Sequence, residues 1–351
     1  MSQRTCYHSL DWQARCLPFR LLTLKVLLYS KFAMVPFDVV GRDRKNPYYL
    51  LLRPDLHEEL RRVIRDAEAV GPVPEMVLGS KITGLDIEAG IVTTEDRTYT
   101  GDVIIGADGI HSLTRNYVQP DAKIKPWGKS CYRWLLPRAS LLADLDTRAL
   151  FQNDGYFGES TGVDRRIVWY PCQDNTVVNF AAFVPAQESN ADGADFDQQG
   201  SKAALTRAFS AFDAGARRAL EYAGDDLSVW DLYDMEEMPR GHNGKLVLMG
   251  DAVHPFLPFM GMLDVSQFNT RANASPGQGA AMAIEDAASL AALLPSGTSV
   301  EEIPERFRLY QQCRQERATF IQQASRLNGL DLNKRDPSPS LGKMGMAPGI
   351  D

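Results

Sequence analysis

Apolar residues recur along this chain in two rhythms, one near 3.6 residues and one of two, and the switches between them divide it into elements. Over residues 54–70, Leu56, Leu60 and Val63 form one stripe among many charges, which predicts an amphipathic helix. Residues 77–105 break into short runs (77–78, 82–87, 90–94 and 102–105) that read as strands, the last bracketed by Gly101 and Gly106. Residues 124–185 alternate in β fashion, most clearly in CYRWLLP at 131–137 and RRIVWYPC at 165–172. Residues 200–223 read as one amphipathic helix carrying Leu205, Phe209, Phe212 and Leu220. The run 246–249 is apolar throughout, the pattern of a parallel strand buried on both faces. Gly277 and Gly279 open a helix patterned by Ala280, Ala281, Ile284, Ala287, Ala288, Leu290 and Leu293, and residues 301–326 predict another. Prolines and glycines at short intervals assign residues 331–351 to a disordered tail.

Mixed rhythms over 351 residues predict an α/β protein of one large or two coupled domains, with enough chain for a sizeable core. A net charge of -7 argues against nucleic acid as a partner. The five cysteines are scattered without a C-x-x-C pair, so neither a disulfide framework nor a metal site is expected. The most apolar stretch, residues 21–40, is interrupted by Lys25, Lys31, Pro36 and Asp38, which argues against a membrane span and for a cytoplasmic protein.

The candidate chemistry lies in residues 245–293. The apolar run ends at Gly250-Asp251, and an acid at the carboxyl end of a strand is placed to hydrogen-bond a sugar hydroxyl. The helix beginning near Gly279 offers free N–H groups and a positive dipole end to an anion. Strand, acid, glycine loop and helix start together imply a phosphate-bearing cofactor. The same unit also occurs in NAD-binding proteins, so the cofactor needs further residues to identify it.

GDAVHPFLP at 250–258, followed by GQGAAMAIEDA at 277–287, resembles the second flavin-binding motif of the FAD-dependent aromatic hydroxylases, the salicylate hydroxylase-like flavin monooxygenases. DVIIGADGIHSLTR at 102–115 resembles that family's Asp-Gly fingerprint, and LRPDLH at 52–57 its Arg-x-Asp-Leu-His segment. The three stand in family order, and the resemblance covers about residues 47–328. It implies a Rossmann-like FAD-binding domain of the para-hydroxybenzoate hydroxylase type, made of residues 47–123 and 236–330. It also implies a β-sheet substrate domain at 124–235, and leaves 1–46 unassigned. The implied reaction takes FAD as cofactor, NAD(P)H and O2 as co-substrates and a phenolic aromatic ring as acceptor, in a setting such as fungal secondary metabolism. Arg53, Asp251, Gly279 and Ala280 are then expected to meet the flavin, with Asp108 and Gly109 near its pyrophosphate and His254 in a structural role beside it. Arg133 and Tyr170 are the expected catalytic pair: an Arg can hold a phenolate or carboxylate, and a Tyr can position or relay a proton. Arg165 and Arg166 are second-choice anion binders. The plainer readings are a helix-start charge for Arg53, a surface ion pair for Arg133 and a core position for Tyr170. Two other functions share these motifs: a non-catalytic relative that keeps the fold without the cofactor, and an epoxidase of isoprenoid chains.

Two features depart from that pattern. The family opens with a Gly-x-Gly-x-x-Gly turn that cradles the ADP half of FAD, yet no glycine precedes Gly41, so the first βαβ unit is expected to be missing or altered. Residues 262–276 interrupt the second motif, and without them, and with Gly261 and Gly277 merged, it reads GDAVHPFLPFMGQGAAMAIEDA. This motivates the hypothesis that the segment is translated intron, with a genuine loop insertion as the alternative. Codons 261 and 277 can supply a GT donor and an AG acceptor that excise about 48 nucleotides in frame and leave one glycine. Sequencing transcript and gene tests it: the account expects a shorter message, and a gene lacking GT or AG at those codons rejects it.

Overall fold

The computed structural model describes residues 27–29, 32–34, 50–66, 73–155, 157–189, 198–225, 227–259 and 278–334. The interrupting segment 262–276, residues 335–351 of the expected tail and most of the unassigned stretch 1–46 lie outside these. The chain divides into two compact units, residues 1–75 with 128–231, and residues 76–127 with 232–351. The helix that begins at Arg53, grouped by sequence with the cofactor segments, falls in the first unit.

The first unit is organised by an eight-stranded sheet ordered β1-β2-β8-β9-β10-β7-β12-β11. Its strands are β1 (Leu27–Tyr29), β2 (Phe32–Met34), β7 (Ile124–Pro137), β8 (Gly158–Thr161), β9 (Arg166–Cys172), β10 (Val177–Pro185), β11 (Gln198–Gln199) and β12 (Ser228–Met235). β10 pairs antiparallel with β7 on one side and β9 on the other. Residues opposite each other in such a ladder point to the same face. Tyr132, Trp134 and Leu136 of β7 therefore share a face with Ala182, Phe180 and Val178 of β10, and with Ile167 and Trp169 of β9. That face is the core. It is covered by Leu141 of α3 (Arg138–Ala143), Phe151 of α4 (Leu145–Phe151), Leu205 of α5 (Lys202–Ala208) and Leu220 of α6 (Ala214–Glu221). Each such side chain contributes about 1.5–3 kcal/mol by leaving water.

The expected single helix over 200–223 is two helices. α5 ends at Ala208, and Phe209 and Phe212 both turn inward in the connection that follows, edge to face with ring centroids 4.8 Å apart. Asp213 then starts α6 by accepting from the Ala216 N–H at 2.9 Å, the ordinary N-cap arrangement. The β-rich stretch 124–185 likewise contains α3 and α4, with Asp144 capping the second through the Asp146 N–H at 2.8 Å. α1 spans Arg53–Arg65, with Pro54 at its start.

The second unit holds two small sheets. β6 (Ile104–Gly106) and β14 (Leu246–Leu248) run parallel, with β13 (His242–Asn243) antiparallel beside β14. Leu246, Val247 and Leu248 are all fully buried, as the unbroken apolar run predicts. Leu246 and Leu248 meet Ile104, Met235 and Met238 on one side, while Val247 meets Leu290, Phe307 and Tyr310 on the other. Those last residues come from α7 (Gln278–Leu293) and α8 (Ile303–Gly329). The second sheet is an antiparallel meander of β3 (Ile82–Asp86), β4 (Ile91–Thr94) and β5 (Thr98–Thr100). Residues 77–78 are not a strand, and β5 stands where the sequence reading placed a connection. A short helix, α2 (Arg115–Val118), follows β6.

One glycine tests the packing of the large sheet. A Cβ at Gly158 would lie 2.1 Å from the Trp169 indole, which is 4% exposed and packs against Phe151. Gly158→Ala should therefore cost about 1–3 kcal/mol by overpacking. Chemical denaturation measures it, and an unchanged midpoint would show that Trp169 moves aside freely.

Candidate active site

The residues of the second unit expected to meet the cofactor gather around one turn. After β14 the chain bends through Gly250–Ala252, where Gly250 takes φ +59°, a conformation that favours glycine. The Gly250 N–H donates to Asp286 Oδ2 at 2.8 Å, and its carbonyl accepts from Val253 and His254 N–H groups, each at 3.0 Å. A Cβ on Gly250 would lie 3.5 Å from Ala283 Cβ, so the turn rests on α7 at 283–286. Gly279 and Ala280 are one helical turn nearer the amino end of α7. Ala280 is exposed, and the space above Gly279 is open. Asp251 is exposed beside them.

The Asp108-Gly109 turn is tied to the same place. Gly109 has φ +77° with open space where a side chain would stand. Asp108 accepts from the Ser112 and Thr114 hydroxyls at 2.6 and 2.7 Å and from the Thr114 N–H at 2.9 Å. Partial burial pushes its carboxyl up, but these hydrogen bonds outweigh that and hold it below the usual carboxylate value. The carboxylate of Asp108 is thus spent on shaping its own loop. Arg115 is buried and joins the two turns through backbone carbonyls alone. It donates to Gly109 (3.2 Å) and Ile110 (2.8 Å) on one side, and to Asp251 (2.8 Å) and Ala252 (2.7 Å) on the other.

Beneath the turn lies a buried charge cluster in which only His254 carries a role expected from the sequence. Asp286 is fully buried. Its Oδ2 faces His254 Nε2 at 2.7 Å as well as the Gly250 N–H, and its Oδ1 accepts from Arg314 Nε of α8 at 2.7 Å. Arg314 also reaches Glu285 at 2.8 Å, which in turn accepts from Arg317. Burial pushes the Asp286 carboxyl up, while His254, Arg314 and the Gly250 amide together hold it low. The available signal was periodicity: Asp286 sits between Met282 and Leu290 at four-residue spacing, an acid on the buried stripe of an apolar helix.

These residues fit one part of FAD. An exposed acid suits a hydroxylated chain, and an open helix start with a glycine loop suits a phosphate or the flavin edge. The fit rests on the open space above Gly279 and Gly109.

In the first unit, Arg133 and Tyr170 lie on the sheet face opposite the core. Arg133 pairs with Ala181, and Tyr170 pairs with Asn179 two residues away on the same strand, so all four share that face. The Arg133 guanidinium lies over the Trp230 ring, 5.8 Å from its centroid. Arg133 is exposed, and its electrostatic neighbours are Cys131 and Tyr170 rather than a carboxylate. Tyr170 is half-buried and stacked 6.2 Å from Phe157, and burial pushes its phenol up against the pull of Arg133. Leu135, next along the face from Arg133, is 52% exposed. The second-choice arginines are already occupied: Arg165 binds Asp164 and Glu188, and Arg166 lies 3.7 Å from Glu159 with both side chains buried. Arg53 is exposed at the start of α1, which Gln173 from the β9–β10 turn ties down through Asp55 at 3.0 Å.

No protein-family model matches the chain. It is 32% identical over 287 residues to an FAD-dependent monooxygenase, phomE', of Diaporthe leptostromiformis, covering 80% of this chain and 68% of the relative. It is 33% identical over 288 residues to the hispidin-3-hydroxylase of Neonothopanus nambi, covering 78% and 64%. A solved salicylate hydroxylase substrate complex aligns with TM-score 0.63 at 21% identity, covering 89% of this chain and 72% of that one. The chain thus spans about two-thirds of the length of these relatives. The structural likeness shows the expected fold, a flavin-hydroxylase fold of mixed helix and sheet.

Replacing Asp286 should expose how much the second unit rests on it. An Asn can present only one acceptor, so either Arg314 or the Gly250–His254 pair must face an amide donor. Breaking a buried pair of this kind costs about 3–5 kcal/mol. Because the folded carboxyl is held low, its stabilisation is full above the unfolded value near about 4 and is lost as pH falls through the folded one. Denaturation of Asp286→Asn should show the loss at neutral pH and a shallower decline on acidification. Equal stability at pH 7 would contradict the cluster's role.

Proposed function

Since the chain belongs to the FAD-dependent monooxygenases, a family of oxidoreductases, we propose that it hydroxylates an aromatic small molecule bearing a phenolate or carboxylate. In this reading it uses NAD(P)H and O2, and works in the cytoplasm. Asp251, Gly279 and Ala280 hold the cofactor, and Gly109 lines its phosphate region; Arg53 is a further candidate contact on the evidence of its motif. Asp108 and Arg115 act one step back, fixing the loops that make those contacts. When bound, FAD supplies the redox chemistry and oxygen activation. The chain's own task is to anchor the ring, keep it oriented and handle the proton of the phenol.

The observation that carries this reading is Arg133. It is an arginine with no carboxylate partner among the described residues, its guanidinium seated on an indole beside a protonated phenol. Such a group suits an anionic substituent on a flat ring, and Leu135 offers apolar surface beside it. The same charge disfavours an isoprenoid hydrocarbon, the alternative acceptor. Relatives named for salicylate and hispidin as hydroxylated substrates support the aromatic class.

Activity is tested with FAD-loaded protein, NADH or NADPH, and a panel of hydroxybenzoates and phenols, scoring product by oxygen-18 incorporation from O2. Arg133→Met should lower kcat/KM for an anionic substrate about 10- to 150-fold, the worth of one charge-assisted hydrogen bond. Tyr170→Phe should lower kcat more than it raises KM. Full activity of Arg133→Met on every hydroxylated anionic ring would remove Arg133 from the site.

A further inference from the structure

We propose that His254 is a positioning residue for the cofactor, acting through Asp286 to set where the Asp251 carboxylate stands. The inference rests on the reading that Asp251 and the start of α7 hold FAD.

Asp286 fixes the state of the imidazole. Its Oδ2 already accepts the Gly250 N–H, and Oδ1 accepts Arg314, so the only useful partner at 2.7 Å is a donor. His254 therefore carries its proton on Nε2. Its Nδ1 is buried and has no hydrogen-bond partner. The ring is thus held at one nitrogen only.

That single bond closes a loop. The His254 N–H donates to the Gly250 carbonyl at 3.0 Å, and the His254 side chain and the Gly250 N–H meet on the same carboxylate oxygen. Residues 250–254 thereby form a ring pinned at both ends to α7, with Asp251 on its outer rim. Arg115 holds the other side of that rim at the Asp251 and Ala252 carbonyls. With these anchors in place, Asp251 has its backbone fixed before a ligand arrives, and binding costs little ordering entropy. If the Nε2 bond is lost, the carboxyl end of the turn is released while Gly250 stays bound. The fold then persists, but the acid is no longer aimed.

Two substitutions separate aim from bulk. In His254→Gln the side-chain amide nitrogen reaches about where Nε2 stands and can donate to Asp286. In His254→Asn the same amide falls short by one methylene. FAD affinity is measured on the full chain by quenching of flavin fluorescence, with the melting point of the cofactor-free protein followed alongside. The expected result is that Gln binds FAD within about threefold of the unaltered chain. Asn should bind at least about tenfold more weakly, about 1.4 kcal/mol, while both cofactor-free variants remain folded at the assay temperature. Equal affinity in Asn and Gln, whether both unchanged or both weakened, overturns the proposal. If Asn does not fold, a Gln variant weakened tenfold overturns it alone, and one that binds normally upholds it. An unaltered chain that takes up no FAD overturns the reading of the site itself, and this inference with it.

Discussion

A carboxylate with no exposure to water holds the second unit's chemistry in place. Asp286 gathers a backbone amide and an imidazole from the turn after β14 and a guanidinium from α8. Removing such a group from water is costly, and only a full set of donors offsets it. The arrangement therefore tolerates little variation. Strand β14, the turn after it, α7 and α8 have to meet at one point, and the exposed residues above that point inherit its geometry. The turn at Gly250–Ala252 keeps its shape to the degree that Asp286 is satisfied.

The Asp108 loop repeats this logic at a smaller scale. Its carboxylate is consumed by Ser112 and Thr114, and Arg115 spends four contacts on carbonyls. Residues that look like ligands in the motif are, in the folded chain, braces for backbone. Among the described residues, Asp251, Ala280 and the open space at Gly279 and Gly109 face outward. This division of labour places most of the charged residues of the motifs one layer behind the chemistry.

Elements with a strong local signal were legible in the sequence. β14 is a run of apolar residues buried on both faces, α7 opens at its glycines, and the family resemblance was carried by segments that fold locally. What depended on distant pairing was not legible. Arg133 and Tyr170 share a face only because β10 lies between β7 and β9 in a particular register, which no local pattern encodes. The acids that occupy Arg165 and Arg166 come partly from other strands and turns. The break between α5 and α6 was hidden because Phe209 and Phe212 satisfy a helical stripe as well as an inward turn. The Asp286 partners lie 28 to 36 residues away along the chain, so the acid could be noticed but its donors could not be named.

A working flavin cradle at the Gly250–Ala252 turn and the start of α7 has a simple signature, read by titrating the purified chain with FAD while recording the visible spectrum and the melting temperature. The expected result is a saturable perturbation of the flavin band at one FAD per chain, with a rise in melting temperature that grows with FAD concentration. An unchanged flavin spectrum and an unchanged melting temperature through saturating FAD would contradict it.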